Sequence, residues 1–207
     1  VSDRCSVLAL ADAAWERFGG VHILCNNAGV TYTRPLQEAR HEDWQWVLGV
    51  NLWGVIHGIE SFVPRMIAQG TGGHVVNTAS MAGHLASQGL GLYNTSKFAV
   101  VGLTETLRKD LREFNIGVSV LCPLGVQTRI RDSERNRPTD LKHEDVQPGG
   151  LDLVGRWIPP EEVSRMVLAA IEANALYVFT HGEAQPFVER RFERIREAFP
   201  PVPAKET

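Results

Sequence analysis

The sequence predicts an α/β domain built on a doubly wound parallel sheet. Segments with a helical spacing of apolar residues alternate along the chain with short apolar runs, which is the order of βαβ units. Three of the predicted strands are followed closely by small or hydroxyl residues, at Gly29, Ser80 and Thr128. Ligands of open α/β sheets bind beyond the carboxyl ends of the strands, so the same pattern predicts a site at that edge.

The first helix and the first strand have clear boundaries in the sequence. Residues 2–18 carry apolar side chains at the spacing of an amphipathic helix, and Asp3 is a suitable N-terminal cap. Gly19 and Gly20 end this helix, and the apolar run that follows predicts a strand over residues 21–26.

The remaining elements follow the same alternation. Helices are predicted over residues 42–69, 92–114, 159–173 and 186–199, and strands over residues 74–78, 117–122 and 176–180. Pro64 is expected to break the long helix near its end. Residues 127–157 predict a long loop with some helix. We expect one domain over residues 1–199, followed by a disordered tail at residues 200–207.

The composition is that of a folded domain and argues against several classes of protein. The chain has 207 residues, of which 43% are apolar and 22% charged, and its net charge of −3 argues against a nucleic-acid partner. No apolar run reaches the roughly 20 residues of a membrane span. No secretory signal opens the chain, so a cytoplasmic location is expected.

The cysteines and histidines give no sign of a disulfide or a metal site. Cys25 and Cys122 lie in strands that are predicted to be buried, and Cys5 makes the number of cysteines odd. Free thiols in a reducing compartment are therefore expected. The seven histidines have no metal-ligand spacing.

A proton-transfer group is predicted from Tyr93, Lys97 and Ser80. Tyr93 and Lys97 are four residues apart on a predicted helix, so the ammonium can lie beside the phenol. A nearby positive charge lowers the pKa of a phenol, and a phenol tuned towards neutral pH is a good general acid or base. Ser80 follows a predicted strand and could hydrogen-bond the same substrate oxygen.

Together with three other segments, this group resembles the classical short-chain dehydrogenase/reductase family. The family motif Asn-Asn-Ala-Gly matches residues 26–29, and the Tyr-x-x-x-Lys pair matches Tyr93 and Lys97. The catalytic serine of the family matches Ser80, and its helix asparagine matches Asn51. The resemblance extends over about residues 1–180. It implies a three-layer, Rossmann-like domain that binds NAD or NADP.

The glycine-rich turn of the family is not found in this sequence. That turn follows the first strand of the family and holds the cofactor pyrophosphate at a helix N-terminus. The glycines of residues 70–73 precede a predicted strand instead, so they indicate a loop. Val1 matches the end of the third family strand. We therefore expect the full-length enzyme to have three further strands before Val1.

The resemblance also implies a role for each matched residue. Tyr93 would give or take the hydroxyl proton, and Lys97 would lower the tyrosine pKa and hold the nicotinamide ribose. Ser80 would orient the substrate oxygen, and Asn51 would help to hold a water that links Lys97 to solvent. Further cofactor contacts are implied for Asn26, Ala28, Gly29, Pro123, Val126 and Thr128. The family usually has Pro-Gly where this chain has Pro123 and Leu124, which puts the local turn in doubt.

These roles imply an NAD(P)-dependent oxidoreductase that acts on a secondary alcohol or ketone. An apolar substrate is expected from the residues of the loops that would build its pocket: Tyr32, Leu36, Met81, Leu85, Leu90 and Ile130. The resemblance implies a homodimer or homotetramer that pairs through the helices at 42–69 and 92–114. Two alternatives remain open, a non-catalytic relative that acts as a binding or scaffold protein, and a cofactor-dependent epimerase or dehydratase.

Overall fold

The computed structural model describes residues 1–143 and 155–201 and shows a four-stranded parallel sheet with helices on both faces. The strands are β1 (Ile23–Asn26), β2 (Gly73–Thr78), β3 (Ile116–Cys122) and β4 (Tyr177–Phe179), and they pair in that order. The helices are α1 (Arg4–Phe18), α2 (His41–Leu48), α3 (Gly54–Gln69), α4 (Gly91–Asp110), α5 (Pro160–Glu172) and α6 (Gln185–Glu197). The predicted fold class is confirmed.

The register of the sheet separates two apolar layers. Leu24 pairs with Val75 and Val75 with Val118, so these three side chains share a face, on which they pack with residues of α1 and α3. Val76 and Leu121 point to the opposite face, where α5 covers them. Helices on both faces of a parallel sheet make the three layers of a doubly wound domain.

The first helix has the predicted cap at Asp3 and ends at Phe18 as predicted, but it begins at Arg4 rather than at residue 2. The Asp3 side chain accepts a hydrogen bond from the Ser6 N–H at 2.7 Å, which satisfies one of the free donors of the first turn. Gly19 has φ of 72°, in the left-handed region that glycine enters without steric cost, and closes the helix.

The expected break at Pro64 is wrong, because α3 continues through this residue to Gln69. A proline inside a helix costs about 3 kcal/mol. The helix is held on both sides of the proline by the buried side chains of Phe62, Val63 and Met66, which belong to the core between α1, α3 and the sheet. Packing therefore overrides the local preference of the proline.

Helix α2 and helix α3 are joined by a π-helical turn over Gly49–Trp53, so the chain stays helical from His41 to Gln69. This combined helix is apolar enough to span a membrane by composition, with mean hydropathy 1.2, but 56% of the window concerned is buried inside the domain. Its apolar composition is therefore explained by its position in the core of the domain.

The expectation that Cys25 is buried is wrong, whereas Cys122 is buried as expected. Cys25 pairs with Val76 and so points to the face that α5 covers. Helix α5 packs on β3 and β4, and no helix among the described residues covers this face of β1.

The long loop expected over residues 127–157 is described in part. Short 3-10 turns occur at Arg129–Asn136 and Thr139–Leu141, in agreement with a loop that contains some helix. Residues 144–154 and 202–207, and with them most of the expected tail, lie outside the described residues.

Candidate functional site

The site lies where the carboxyl ends of β1, β2 and β3 face the first turns of α4. A cavity of about 460 Å³ opens there. Its wall contains eight of the ten residues that the sequence singled out: Ala28, Gly29, Ser80, Tyr93, Lys97, Pro123, Val126 and Thr128. The two others, Asn26 and Asn51, lie behind the wall. Segments separated by up to a hundred residues thus meet because parallel strands end at one edge of the sheet.

Lys97 is buried beneath the cavity, with 3% of its surface exposed. Its Nζ donates a hydrogen bond to the Thr78 carbonyl at 2.9 Å and lies 5.5 Å from the centre of the Tyr93 ring. Burial lowers the pKa of Lys97 to about 8, because an ammonium loses its hydration inside the protein. The side chain can therefore change its charge close to neutral pH.

The expected lowering of the Tyr93 pKa is not found. Burial raises the pKa of the phenol, and a hydrogen bond with Ser80 opposes this shift without cancelling it. Burial is decisive because it removes water from the phenolate, whereas the Lys97 ammonium donates to Thr78 rather than to the phenol. In this structure the phenol is therefore protonated at neutral pH.

Ser80 is held at the end of β2 by two hydrogen bonds. Its Oγ accepts from the Ala82 N–H at 3.1 Å and donates to the Pro123 carbonyl at 3.3 Å. These contacts tie the ends of β2 and β3 together and fix the hydroxyl beside Tyr93, with which it shares the cavity wall.

Asn51 is buried in the π-helical turn and does not line the cavity. Its Oδ1 accepts from the Val30 N–H at 2.8 Å, and its Nδ2 donates to the Val30 carbonyl at 2.9 Å and to the Ser96 Oγ at 3.1 Å. Both amide hydrogens of Asn51 are thereby donated, and the side chain joins the segment after β1 to α4. Turns of this kind are frequent at functional sites, and here the turn brings Asn51 to Val30.

The Asn26 side chain also makes structural contacts and does not line this cavity. Its Nδ2 donates to the Asn77 Oδ1 at 2.8 Å, and Asn77 in turn donates to Thr104 of α4. A side chain at Gly58 would come within 2.1 Å of Asn26, so α3 needs glycine at this approach. The neighbouring Asn27 lines the cavity instead.

Gly29 leaves room in the cavity beside Lys97. A Cβ added at this glycine would lie 3.5 Å from the Asn51 Oδ1 and 3.7 Å from the Lys97 Nζ, so a side chain here would fill the space in front of the ammonium. The open space, the buried ammonium and the hydroxyl of Thr128 suit a polar ligand such as a nucleotide ribose.

The turn after β3 tolerates Leu124 in place of glycine. Neither Leu124 nor Gly125 has a positive φ, so the leucine is not strained. Gly125 is required for a different reason, because a Cβ there would lie 2.8 Å from the Arg156 carbonyl. The backbone then continues into the bridge between Val126 and Ile158.

A second, smaller cavity of about 90 Å³ adjoins the first and shares Ser80, Tyr93, Leu124 and Ile130 with it. We call it the apolar chamber. Its other lining residues are Thr31, Met81, Ala82, Leu85, Ser87, Leu90, Arg131 and Trp157. Four of the six residues expected from the sequence are present. Tyr32 and Leu36 are not, since the Tyr32 hydroxyl donates to Asp43 and Leu36 is half exposed.

A buried ion pair between Asp43 and Arg137 supports the wall of both cavities and was missed from the sequence. The Asp43 carboxylate accepts from the Arg137 guanidinium, from His143 at 3.0 Å and from Tyr32 at 2.7 Å. Both charged side chains are fully buried. The pair fastens α2 to the segment over residues 129–143, which supplies Ile130 and Arg131 to the apolar chamber. The partners are 94 residues apart, and no local pattern signals them.

Comparison with known proteins agrees with this geometry. The family model for short chain dehydrogenases matches residues 1–139. A C alpha-dehydrogenase of Sphingobium sp. is 32% identical over 98% of this chain and 68% of its own length. A CLA biosynthesis dehydrogenase/reductase of Lactiplantibacillus plantarum is 33% identical over 94% of this chain and 73% of its own length.

Solved structures resemble the whole described fold. A short chain dehydrogenase/reductase from Burkholderia phymatum in complex with NAD superposes with a TM-score of 0.87 at 40% identity, over all of this chain and 77% of that one. A metagenomic short-chain oxidoreductase in complex with NADP has a TM-score of 0.56 at 30% identity, over 59% of this chain and 55% of that one. The resemblance inferred from the motifs is confirmed, and the chain belongs to the short-chain dehydrogenase family of oxidoreductases.

Proposed function

We propose that the protein is an NAD(P)-dependent oxidoreductase that interconverts a secondary alcohol and a ketone, with Tyr93 as the general acid and base. The observation that carries this proposal is that the two cavities meet at Ser80 and Tyr93. The larger cavity is wide enough for a nicotinamide riboside, and the apolar chamber can take the carbon groups of a substrate. The substrate oxygen then lies at the common wall, beside both hydroxyl groups.

The residues that would hold the cofactor line the larger cavity. Ala28 and Gly29 offer an open backbone surface, Val126 and Thr128 lie on the opposite side, and the Lys97 ammonium is close enough to Gly29 to reach a ribose hydroxyl. When bound, the nicotinamide supplies or accepts the hydride. The NAD- and NADP-bound relatives support this class of cofactor without selecting one of the two.

The proton would be handled by Tyr93. In the direction of reduction, its hydroxyl donates a proton to the carbonyl oxygen, and the raised pKa of Tyr93 keeps that proton available at neutral pH. Ser80 would donate a hydrogen bond to the same oxygen and stabilise the charge that develops on it. Lys97, with a pKa of about 8, would replace the tyrosine proton through the polar groups of the cavity. Because the Asn51 side chain is buried and bonds to both Val30 and Ser96, we assign it the positioning of α4 against Val30.

The test is replacement of Tyr93 by phenylalanine, which removes the proton and keeps the ring. We expect ketone-dependent oxidation of NADH or NADPH to fall by at least about a hundredfold, as for loss of a general acid, with nearly unchanged cofactor affinity. The matched control is Tyr177→Phe, which removes a tyrosine hydroxyl that contacts Glu105 at the far edge of the sheet. Activity that survives in Tyr93→Phe would show that another group transfers the proton.

We propose one domain over residues 1–199, a cytoplasmic location, and a homodimer or homotetramer that pairs through α2, α3 and α4. Only the resemblance to the family supports the oligomer, and the mass of the full-length protein in solution would test it.

A further inference from the structure

Among the described residues, one charged side chain lines the apolar chamber, that of Arg131, and it shares the wall with Ser80 and Tyr93. Arg131 is exposed, so a molecule that enters from solvent reaches its side chain. Most of the remaining wall is hydrocarbon, from Met81, Leu85, Leu90, Leu124 and the indole of Trp157. A ligand of this chamber therefore meets two hydroxyl groups, an apolar surface and a positive charge.

The guanidinium of Arg131 lies on the indole of Trp157. The Arg131 Cζ is 4.2 Å from the centre of the Trp157 ring, a distance at which the cation is attracted to the ring face. Arginine binds a carboxylate through the edge of its guanidinium, whereas an aromatic ring contacts the face, so this contact is compatible with anion binding. Since Trp157 also lines the chamber, the pair forms one side of it.

The segments that carry this pair are fixed by hydrogen bonds of their own. The Trp157 carbonyl accepts from the Gln127 Nε2 at 3.1 Å. The Ser133 hydroxyl donates to the carbonyl of Ile130, the residue before Arg131. Because the two segments are held in place without a ligand, binding at the pair requires little further ordering of the chain.

The charged side chains that line the two cavities are all cationic. In the part of the chain that the structure describes they are Lys97, Arg129, Arg131 and Arg135, and no carboxylate lines either cavity. Asp132 pairs with Arg129 and lies 3.7 Å from Arg135, so it offsets the charge of these two. The chain as a whole has a net charge of −3, so the site differs in sign from the whole molecule. A cleft lined by one sign of charge concentrates ligands of the opposite sign.

Other contacts between arginines and aromatic rings lie away from the site. Arg17 lies over Phe18 at 5.9 Å and Arg137 over Trp46 at 4.9 Å, and none of these four residues lines either cavity. Arg131 differs because its contact with a ring forms part of the wall that Tyr93 also lines.

We propose that the substrate is a keto acid or the corresponding hydroxy acid, and that Arg131 binds its carboxylate while Ser80 and Tyr93 hold the carbonyl or hydroxyl oxygen. The carbon chain between the two groups lies on the apolar wall. The carboxylate takes no part in hydride or proton transfer, and its contact with Arg131 orients the substrate. The inference rests on the proposed function, because it places the reacting oxygen at Ser80 and Tyr93.

The activity test compares each keto acid with its methyl ester, in the full-length protein with its cofactor. The acids differ in the number of CH2 groups between the carbonyl and the carboxylate, and each ester removes the charge but keeps the carbon skeleton. We expect kcat/KM to favour one acid over its ester by about tenfold or more, the effect of a hydrogen bond between two charged groups.

Arg131→Gln should abolish this preference by raising the KM of the acid with little change in kcat, because the carboxylate is bound equally before and during the reaction. Turnover of the ester should persist. Arg131→Lys keeps the charge but loses the paired N–H groups, so it should retain part of the preference. The matched control is Arg17→Gln, which removes another exposed guanidinium that lies over an aromatic ring.

A binding measurement tests the same site without turnover. Pentanoate has a carboxylate and an apolar chain but no ketone to reduce. It should raise the Tm of the full-length protein with its cofactor, because a ligand of the folded state stabilises that state. Pentanoate should raise the Tm of Arg131→Gln much less, and the uncharged pentanamide should raise the Tm of the wild type much less.

The outcomes separate the two proposals. Equal turnover of acids and esters, a preference that survives in Arg131→Gln, or an equal Tm shift in that variant would overturn the inference and leave the oxidoreductase proposal standing. A parallel loss of acid and ester turnover in Arg131→Gln would show that Arg131 only supports the wall, which also overturns it. If the wild-type protein reduces none of the ketones and oxidises none of the alcohols, the proposed function fails and this inference fails with it.

Discussion

At the residue scale, the burial of Lys97 has a consequence for the stability of the protein. Its ammonium is almost fully buried and has one hydrogen bond, to the Thr78 carbonyl. The lowered pKa of about 8 measures the free energy that the charged form loses inside the protein. A group with a pKa near neutral can donate a proton, but burying its charge lowers the free energy of unfolding.

Replacement of Lys97 by methionine is therefore expected to stabilise the protein at pH 7. The lowering of the Lys97 pKa from 10.5 to about 8 means that the buried ammonium destabilises the folded protein by about 3 kcal/mol at most. The variant also loses the hydrogen bond to Thr78, which costs about 1 kcal/mol. We therefore expect the free energy of unfolding to rise by about 1–2 kcal/mol. The folded wild type loses its proton above about pH 8, whereas the unfolded chain keeps it up to pH 10.5. Wild-type stability should thus recover over this range, and the advantage of the variant should disappear.

Urea unfolding at pH 7 and pH 10 measures this difference. Lys109→Met is the matched control, because Lys109 is exposed on the same helix and should show no such dependence on pH. A variant at Lys97 that is less stable than wild type at pH 7 would mean that the buried ammonium is a stabilising group.

At the scale of elements, the connection between α2 and residues 129–143 decides the shape of the cavities. It depends on the fully buried pair of Asp43 and Arg137, where the guanidinium also lies 4.9 Å from the centre of the Trp46 ring. Burial alone would raise the pKa of Asp43, but hydrogen bonds from Arg40, Tyr32, His143 and Arg137 lower it to about 2. The carboxylate is thus charged at all physiological pH values.

Arg137→Met should destabilise the protein by about 3 kcal/mol, because it leaves a buried carboxylate without its countercharge. The control is Arg129→Met, which breaks the exposed pair with Asp132 and should change the free energy of unfolding by less than about 1 kcal/mol. Urea midpoints at pH 7 compare the two variants. Equal effects would show that the buried pair contributes no more than a surface contact.

Asp43 also makes the free energy of unfolding depend on pH in the acid range. Because its folded pKa of about 2 lies below the ordinary value of 3.8, its contribution is complete above about pH 4 and is lost as the pH falls from there towards 2. Asp43→Asn should lack the part of the acid transition that this carboxylate causes.

At the scale of the whole molecule, the sheet is covered unequally on its two sides. Helices α1, α3 and α4 lie on one face, and α5 covers β3 and β4 on the other. On this second face Ile23 and Cys25 of β1 are exposed. Cys122 of β3 points to the first face, where it is buried among Val120 and residues of α4 and lies beside His84. Burial raises the pKa of Cys122 to about 12, so this thiol is unreactive as well as inaccessible.

The 207-residue chain is therefore expected to react with a thiol reagent at two of its three cysteines. Cys5 should react first and Cys25 more slowly, because burial raises the Cys25 pKa, and Cys122 only after unfolding. Mass spectrometry with and without urea counts the adducts. Protection of Cys25 in the native chain would mean that another surface covers β1, and labelling of Cys122 would contradict the described core.

Local patterns in the sequence were sufficient for most elements and for the residues that line the larger cavity. The cap at Asp3, the left-handed glycine at Gly19 and the four-residue spacing of Tyr93 and Lys97 are all short-range features. Local patterns fail where packing outweighs local preference, as at Pro64. They also fail at Cys25, where no helix of residues 1–143 and 155–201 covers that face of β1. The π-helical turn around Asn51 had no signal of its own.

The sequence by itself determined the parallel α/β fold, the family and the residues that gather around Tyr93. Short patterns mark each element and motif, and the parallel order of the strands brings their carboxyl ends to one edge. Only the tertiary structure decided the direction of the Tyr93 pKa shift, the hydrogen bonds of Asn51 to Val30 and Ser96, and the buried pair of Asp43 and Arg137. These properties depend on burial and on partners distant in the chain. Water is excluded and distant residues pair only when the helices pack on the sheet, so no local pattern of the sequence predicts them.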